Sequence, residues 1–281
     1  MSARTVVGDR LHVAIDCLVI AARPSGVERA VVGLVQGLAC LQPSGRRFSL
    51  LVAAGREDML PHGPEMKPLP APGWTRGRMG RVLYEQTLAA ARVRSAGAQV
   101  LHGPAYVLPL AWEGPSVLTI YDAITLSRPE WCQWHNVVHY SLVMTRSAHC
   151  ADAIVAPSEW TKRELVEYLG VDASRVRVCP LGVDEQFRPA TEDEVARVRA
   201  KYGLSEQYLL CVGNVEPRKN LEAVIAAFEL VAPHLPHRLV IAGKRGWKYG
   251  PICRAMQASR EAARIRWLDW VTHEDLPPVY N

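Results

Sequence analysis

One stretch, residues 208–228, constrains the fold of this chain more than any other. It begins with an apolar run, Tyr208–Val212, which is typical of a buried strand, and Gly213 then provides a turn signal. Asn220 follows the turn, where its side-chain oxygen can cap a helix by accepting a backbone N–H. The next residues carry apolar side chains at helical spacing, namely Leu221, Val224, Ile225 and Phe228. The stretch therefore predicts a strand–turn–helix unit of an α/β fold.

The turn of this unit has the features of an anion site. Asn214 and the basic pair Arg218 and Lys219 lie between the strand and the helix. The start of a helix concentrates free N–H groups and positive dipole charge, and the two cations add full charges. Open α/β sheets bind diphosphates at such turns, beyond the carboxyl ends of their strands. An ordinary βα unit with two solvated basic side chains is the alternative, because glycine turns between strand and helix are common.

The composition excludes several classes of protein. Of the 281 residues, 49% are hydrophobic and 22% are charged, which indicates a folded chain of one large or two medium α/β domains. No apolar run reaches the length of a membrane span, and residues 1–10 lack the apolar core of a secretory signal. The 7 cysteines are scattered, without a CxxC motif or a His/Cys cluster. We therefore expect no metal site, no disulfide framework and a cytoplasmic location.

The charge and one arginine-rich segment bear on the partners of the chain. The net charge of +5 fits an anionic ligand or an anionic membrane surface, and no nucleic-acid partner is expected. Residues 79–95 predict a helix with one acid, Glu85, and five arginines in or just before it: Arg76, Arg78, Arg81, Arg92 and Arg94. This face either contacts anionic lipid headgroups or is simply solvated. The solvated interpretation is favoured, because Leu83, Leu88 and Val93 then form core contacts.

Strands and helices alternate along the rest of the chain, as in a parallel α/β sheet. Further strands are predicted at residues 11–16, 48–53, 99–102, 116–120, 153–156, 237–243 and 265–268. Residues 61–80, which are rich in proline and glycine, predict a loop, and residues 129–150 predict a helix. Ser25 and Gly26 form a tight loop before another helix, where the glycine permits a substrate to approach closely. A plain turn with a helix cap is the alternative.

The segment VGNVEPRKNLE, residues 212–222, closely resembles the donor-diphosphate loop of family 4 glycosyltransferases, which are retaining enzymes of GT-B architecture. Four other segments are similar to this family: LHGPAYVLPL (101–110), VLTIYDAITLSRPEW (117–131), APSEWTKREL (156–165) and VRVCPLGVDEQFRP (176–189). The resemblance implies two Rossmann-like domains that face each other around a cleft. Residues 1–183 then form the acceptor-side domain, and residues 184–281 form part of the nucleotide-sugar-binding domain.

The resemblance also implies a reaction. A sugar, with mannose the frequent case in the family, moves from a nucleotide-diphospho-sugar to a saccharide or lipid-linked acceptor with retention of configuration, in the synthesis of a cell-surface polysaccharide. The enzyme then works in the cytoplasm or at the inner face of the cytoplasmic membrane. Arg218 and Lys219, with Gly213 and Asn214 beside them, grip the diphosphate. No metal or other cofactor is expected, because the two cations stabilise the leaving charge.

The resemblance places the acceptor chiefly in the first domain. His102 then lies near a sugar hydroxyl, although a lone histidine in an apolar segment is more often a structural residue. Asp122 orients a hydroxyl or steadies developing positive charge. Tyr121 stands where many members carry histidine, and a phenol can hydrogen-bond but cannot become a cation. Gly182 lies where the family's linker passes the cleft, and Lys244, in RLVIAGKRGW (238–247), lies on the cleft wall.

Part of the family's pattern is missing from these residues. In the family, a Glu-x7-Glu segment on a later helix holds the sugar and ribose of the donor, and no such segment follows residue 243. We therefore expect the second domain to be incomplete. A truncated, non-catalytic module that binds a nucleotide or a partner is the alternative function. A dinucleotide-dependent Rossmann enzyme is disfavoured, because no GxGxxG motif follows a strand.

Overall fold

Seven strands form an all-parallel sheet in the first of two units, which extends to Gly182. The computed structural model describes residues 11–22, 24, 26–41 and 45–281. The sheet order is β3-β2-β1-β4-β5-β6-β7, so the chain winds outward from β1 in one direction and then in the other. The strands are β1 Leu11–Asp16, β2 Arg46–Ala53, β3 Met66–Ala71, β4 Val100–Gly103, β5 Ser116–Thr119, β6 Ala153–Ala156 and β7 Val176–Val178.

Helices cover both faces of this sheet. They are α1 Gly26–Cys40, α2 Arg78–Thr87, α3 Ala89–Ser95, α4 Ile124–Ser127, α5 Trp134–His139, α6 Thr145–Cys150 and α7 Glu159–Leu169. Neighbouring residues of a strand point to opposite faces. Ile15 therefore shares a buried cluster with Val31 and Val35 of α1, whereas Ala14 joins a second cluster with Leu165 of α7. Burial on both faces is what an all-parallel sheet requires.

The edge strand β3 shows that the predicted loop at residues 61–80 is wrong in part. It pairs with β2 along its whole length, although Pro68 and Pro70 lie within it. Alternate residues of a strand face the same neighbour, and the carbonyls of Glu65 and Ala71 accept hydrogen bonds from the β2 side. The two prolines have the opposite parity, so their nitrogens face away from β2. Proline, which has no N–H, is tolerated at an edge for this reason.

Two predicted helices are each divided. The helix expected at residues 79–95 consists of α2 and α3, which meet at Leu88. Leu83 and Leu88 are 59% and 49% exposed, so their predicted core contacts are wrong, whereas Val93 is buried as predicted. The helix expected at residues 129–150 contains α5, a π-helical turn at Tyr140–Met144, and α6. Such π-helical turns are frequent at functional sites.

The second unit begins at Val183 and contains a three-stranded parallel sheet in the order β10-β9-β8. Its strands are β8 Tyr208–Val212, β9 Arg238–Ala242 and β10 Ile265–Asp269. Its helices are α8 Glu192–Tyr202, α9 Leu221–Val231, α10 Gly250–Ala258 and α11 Leu276–Tyr280. Phe228 of α9 and Ile252 of α10 are buried in one cluster, and Val198 of α8 and Val279 of α11 are buried in another. The predicted strand–turn–helix unit is therefore present as β8 and α9.

Two local predictions for residues 208–228 are wrong. β8 lies at an edge of its sheet, and Leu209 and Val212 are 39% and 36% exposed, so the strand is only half-buried. Asn220 precedes α9 with φ 49°, and its side chain makes no capping hydrogen bond. Asparagine adopts this left-handed conformation more readily than most residues, because its short polar side chain can hydrogen-bond locally. The residue therefore serves the turn rather than the cap.

Candidate functional site

Two glycine turns lie side by side at the carboxyl ends of β8 and β9. The Val215 N–H donates to the Lys244 carbonyl at 3.0 Å, and the Gly246 N–H donates back to the Val215 carbonyl at 3.0 Å. We call the two segments, residues 213–219 and 243–246, the paired loops. Ligands of open α/β sheets bind beyond the carboxyl ends of the strands. The paired loops are therefore the candidate donor site of the second unit.

Gly243 allows the paired loops to meet. A Cβ at this position would lie 1.9 Å from the Gly213 carbonyl oxygen, far inside van der Waals contact. The Gly243 N–H also donates to the carbonyl of Asp269, at the end of β10, at 2.7 Å. The backbones of all three strand ends thus come together at one point. Only glycine permits this close approach.

Lys219 is an exposed cation of the paired loops. It makes no hydrogen bond or ion pair with any residue that the structure describes. Its Cε lies 3.1 Å from the position that a Cβ on Gly213 would take, so the lysine stem lies along the glycine turn. Asn214 is half-buried in the same turn. An ammonium without a counter-ion beside an open backbone turn suits a phosphate group.

Arg218, unlike Lys219, has a partner. Its Nε and Nη2 donate to Oε1 of Glu216 at 3.0 Å and 2.7 Å. Glu216 is fully buried, although its neighbour Arg218 is exposed. The sequence analysis missed Glu216, because an acid two positions before an arginine in a polar loop gives no signal of burial. Arg218 is consequently an ordered cation rather than a freely solvated one.

The second of the paired loops places cations over aromatic rings. The Lys244 Nζ lies 5.9 Å from the ring centroid of Trp270, and the Arg245 guanidinium lies 5.4 Å from that of Trp267. Trp267 Nε1 donates to the Gly243 carbonyl at 2.7 Å. Cation–π contacts and this hydrogen bond therefore hold both basic side chains near the turn. The role of Lys244 in ligand binding stays a prediction.

In the first unit, an aromatic and acidic group lies at the carboxyl ends of β4 and β5. The Tyr106 hydroxyl donates to Oδ2 of Asp122 at 3.3 Å. The Tyr106 ring contacts those of Tyr121 and Tyr140, with centroids 5.6 Å and 5.4 Å apart. Tyr106 has φ 72°, a strained conformation that costs about 1–3 kcal/mol and is concentrated at functional sites. The structure thus joins the predicted Tyr121 and Asp122 to two tyrosines that the sequence analysis missed.

Dense packing determines the protonation of Tyr121 and His102. Desolvation raises the pKa of Tyr121 to about 12 and lowers the pKa of His102 to about 4, so both side chains are neutral near pH 7. His102 Nε2 lies 2.9 Å from Oγ1 of Thr119 on the neighbouring strand. This contact fits the structural alternative for His102. Its predicted role near a sugar hydroxyl stays a prediction.

A pair of buried acids, Asp16 and Glu85, lies near the point where the strand order reverses between β1 and β4. Asp16 ends β1, and its Oδ1 accepts the Leu18 N–H at 3.0 Å, while Glu85 on α2 lies 3.5 Å from Arg81. Both acids line a small pocket with Pro104. Burial raises the pKa of Asp16 to about 6 and that of Glu85 to about 8, and the charge of Asp16 adds to the second shift. Glu85 is therefore mainly protonated at neutral pH.

Two further predicted site residues, Gly26 and Gly182, have open surroundings. Ser25 lies outside the described residues. Gly26 begins α1 and Gly182 ends the first unit; both are exposed, and a Cβ on either would have no neighbour within 4 Å among the residues that the structure describes. In the part of the chain that the structure describes, no three potential metal ligands come together. In that same part, no helix is long and apolar enough to cross a membrane. That no metal takes part stays a prediction.

Comparison with known proteins identifies the family. The profile of Glycosyltransferase Family 4 matches residues 24–187, which is more than half of the chain. The chain belongs to this family. The family predicted from residues 212–222 is therefore confirmed, as is the α/β fold of GT-B type, because solved GT-B glycosyltransferases share it.

Two of the relatives that this chain matches are mannosyltransferases of Escherichia coli. O-antigen chain mannosyltransferase B is 28% identical over 203 residues, covering 71% of this chain and 53% of that protein. Serotype-specific mannosyltransferase WbdA is 29% identical over 137 residues, covering 47% of this chain and 17% of that protein. The chain thus spans about half the length of the first relative and less of the second.

A solved structure supports the fold. Anabaena Alr3699/HepE in complex with UDP-glucose matches with a TM-score of 0.67 and 14% identity, covering 96% of this chain and 71% of that one. The glycosyltransferase from Rickettsia africae matches with a TM-score of 0.62, also at 14% identity, covering 97% of this chain and 71% of that one. At such identity the likeness establishes the GT-B fold alone.

Proposed function

We propose that this protein is a glycosyltransferase that transfers mannose from a nucleotide-diphospho-sugar to a saccharide or lipid-linked acceptor, with retention of configuration, in the assembly of a cell-surface polysaccharide. The paired loops carry the proposal, because they combine close backbone turns with the cations Arg218 and Lys219. The E. coli relatives support mannose as the sugar. The UDP-glucose in the HepE structure supports a nucleotide-diphospho-sugar as the donor for this fold.

The paired loops act on the leaving group. Negative charge develops on the diphosphate as its bond to the anomeric carbon breaks. Glu216 holds the Arg218 guanidinium in place before the reaction, and Lys219 lies beside the same turn without a partner among the described residues, so the two cations stabilise this charge. The two cations take the role that a divalent metal plays in other transferases, and the proposal therefore includes no cofactor.

The acceptor binds, in this proposal, at the carboxyl end of the first sheet. Tyr106, Tyr121 and Tyr140 offer rings with apolar faces and polar tips, which suit the mixed surface of a saccharide. Asp122 orients an acceptor hydroxyl, and its own direction is fixed by Tyr106. The reversal of strand order near these residues favours a ligand at this position.

We also propose that the protein works at the inner face of the cytoplasmic membrane, where lipid-linked acceptors lie. Met79 and Leu83 of α2 are 81% and 59% exposed, and Trp134 and Val138 of α5 are 77% and 51% exposed. We call these four residues the α2–α5 surface, because Arg78 donates to Asn136 and so joins the two helices. Exposed apolar side chains beside arginines suit anionic lipid headgroups.

Calorimetry and a transfer assay test the proposed function. We expect GDP or UDP to bind to the chain, and we expect labelled mannose to pass from GDP-mannose to a lipid-linked saccharide with its anomeric configuration retained. Binding without transfer would favour the non-catalytic module instead. Absence of binding to both nucleotides and to pyrophosphate would overturn the proposal.

A further inference from the structure

The carboxylate of Glu216 is buried between the paired loops and is only half-satisfied. Its Oε1 accepts both hydrogen bonds from Arg218. Its Oε2 is inaccessible to solvent, and no described residue donates a hydrogen bond to it. A buried carboxylate oxygen without a donor costs free energy, and loss of the remaining partner would strand the whole charge. Glu216 therefore holds Arg218 strongly.

The pairing uses one edge of the Arg218 guanidinium and leaves the other edge available. Nε and Nη2 donate to Glu216, while Nη1 has no partner among the described residues. The guanidinium is planar, so fixing one edge also fixes the direction of the remaining N–H groups. The Arg218 side chain is 36% exposed, which leaves its free edge accessible to a ligand. An arginine fixed in this way loses less rotamer entropy when it binds an anion.

Gly246 closes the second loop over the Glu216 carboxylate. A Cβ on Gly246 would lie 3.0 Å from both Cβ and Oε2 of Glu216, and 2.9 Å from the Val215 carbonyl oxygen. The glycine thus leaves the space that the carboxylate needs. Because both loops enclose Glu216, its side chain cannot turn outward to meet a ligand itself. Its effect on a ligand must pass through Arg218.

We infer that Glu216 is a positioning residue for the diphosphate, which it affects by holding the Arg218 guanidinium with its free edge toward the phosphate. This inference rests on the proposed function of the paired loops. Charge alone predicts the opposite effect, since an anion near a diphosphate weakens its binding by repulsion. The direction of the change on neutralising Glu216 therefore separates positioning from simple charge.

The test is calorimetric titration of Glu216→Gln, Arg218→Ala and the double variant with GDP and pyrophosphate. We expect each single variant to bind about tenfold more weakly, because Arg218→Ala removes the guanidinium and Glu216→Gln holds it through hydrogen bonds that lack the carboxylate charge. The double variant should bind no more weakly than Arg218→Ala, because Glu216 acts through that side chain. Unchanged or tighter binding by Glu216→Gln, or a clear further loss in the double variant, would overturn the inference.

Arg218→Lys tests the same inference while keeping a cation beside the buried Glu216 carboxylate. It keeps the charge but lacks the planar edge, so we expect affinity as low as that of Arg218→Ala. Wild-type affinity in this variant would contradict the inference. Glu192→Gln, an exposed acid of α8, is the control for loss of one negative charge. If the unmodified chain binds neither GDP, UDP nor pyrophosphate, the proposed function fails together with this inference. If the unmodified chain binds them but the affinities of the variants differ from those expected, this inference alone fails.

Discussion

The Tyr106 hydroxyl and the Asp122 carboxylate are joined by a hydrogen bond of 3.3 Å. The second oxygen of Asp122, Oδ1, accepts the Ile124 N–H at 3.4 Å, so both carboxylate oxygens have donors. Tyr106 is itself held against the ring of Tyr140. The direction of Asp122 is therefore set by the Tyr106 hydroxyl and by the backbone of its own segment, at the end of the sheet where we place the acceptor.

Tyr106→Phe keeps the ring contacts and removes the hydrogen bond to Asp122. We expect kcat/KM for sugar transfer to fall about tenfold, since a misdirected carboxylate orients the acceptor hydroxyl less well. The thermal unfolding midpoint should change little, because the ring remains packed. Tyr168→Phe, at an exposed tyrosine of α7, is the matched control. Equal activity of the two variants would exclude this role of Tyr106.

The pair Asp16 and Glu85 should make the stability of the first unit depend on pH. Their pKa values of about 6 and about 8 in the folded unit exceed the values of about 3.9 and 4.3 that such acids have when unfolded. The folded state then binds more protons than the unfolded state. The free energy of unfolding should therefore fall as pH rises from about 4 to 8, by up to about 1.4 kcal/mol per pH unit for each group, and level off above that range.

Glu85→Gln removes the acid with the higher pKa. The variant should lose most of the decline between pH 6 and pH 8, where Glu85 loses most of its proton and Asp16 only the remainder of its own, and it should be more stable than the wild type above about pH 8. Arg81 and Asp16 face this side chain and remain in place. Urea unfolding at several pH values measures the effect. A decline as steep in the variant as in the wild type would show that other groups cause it.

The sequence predicted the strands and helices better than it predicted the contacts between side chains from separate segments. Residues 208–228 carried enough local pattern to predict β8, the glycine turn and α9, because strand and helix periodicities and turn chemistry are local. Tyr106 and Tyr140 were not predicted as site residues, because their contacts with Tyr121 and Asp122 join separate segments. The burial of Glu216 could not be predicted either, because it depends on the second of the paired loops. β3 was not predicted because it contains prolines, and whether a strand tolerates proline depends on which strand lies at the edge of the sheet.

Gly243→Ala should disrupt the paired loops. The added Cβ would lie 1.9 Å from the Gly213 carbonyl oxygen, and no side-chain rotation relieves a clash with backbone. We expect affinity for GDP and pyrophosphate to fall by at least about tenfold, since the two turns separate and displace Arg218 and Lys219. Gly250→Ala is the matched control, because among the described residues its Cβ would meet only the end of Arg254, at 3.6 Å. Wild-type affinity for the diphosphate in Gly243→Ala would exclude the paired loops as the binding site.

Asp275 should stabilise the second unit by linking α8 to the segment before α11. Its carboxylate accepts hydrogen bonds from Arg197 and Lys201, both at 2.6 Å, from Tyr202 at 2.7 Å and from Thr272 at 2.8 Å. Burial alone would raise the pKa of Asp275, but these donors outweigh it and hold the pKa well below 3.8. Asp275→Asn should cost about 1–3 kcal/mol at pH 7.

The sign of the pH dependence gives a second measurement for Asp275. A lowered pKa stabilises the folded state above about pH 4, and this contribution is lost as pH falls. The difference between wild type and Asp275→Asn in urea unfolding should therefore shrink on acidification. A difference that is absent at pH 7, or that grows at low pH, would contradict the assigned role.

The α2–α5 surface should bind membranes that contain anionic lipid. Trp134 is 77% exposed and Met79 is 81% exposed, so replacing both by serine removes apolar area without opening the core. We expect co-sedimentation with anionic vesicles to weaken by about tenfold or more, given roughly 25 cal/mol per Å² of apolar surface. Binding of the wild type should also weaken in high salt, because arginines contribute to it.

Trp160→Ser, at a tryptophan of α7 that is 64% exposed, is the control and should bind like the wild type. Equal losses in both variants would mean that exposed tryptophans bind lipid without regard to their position, and the α2–α5 surface would then have no special role.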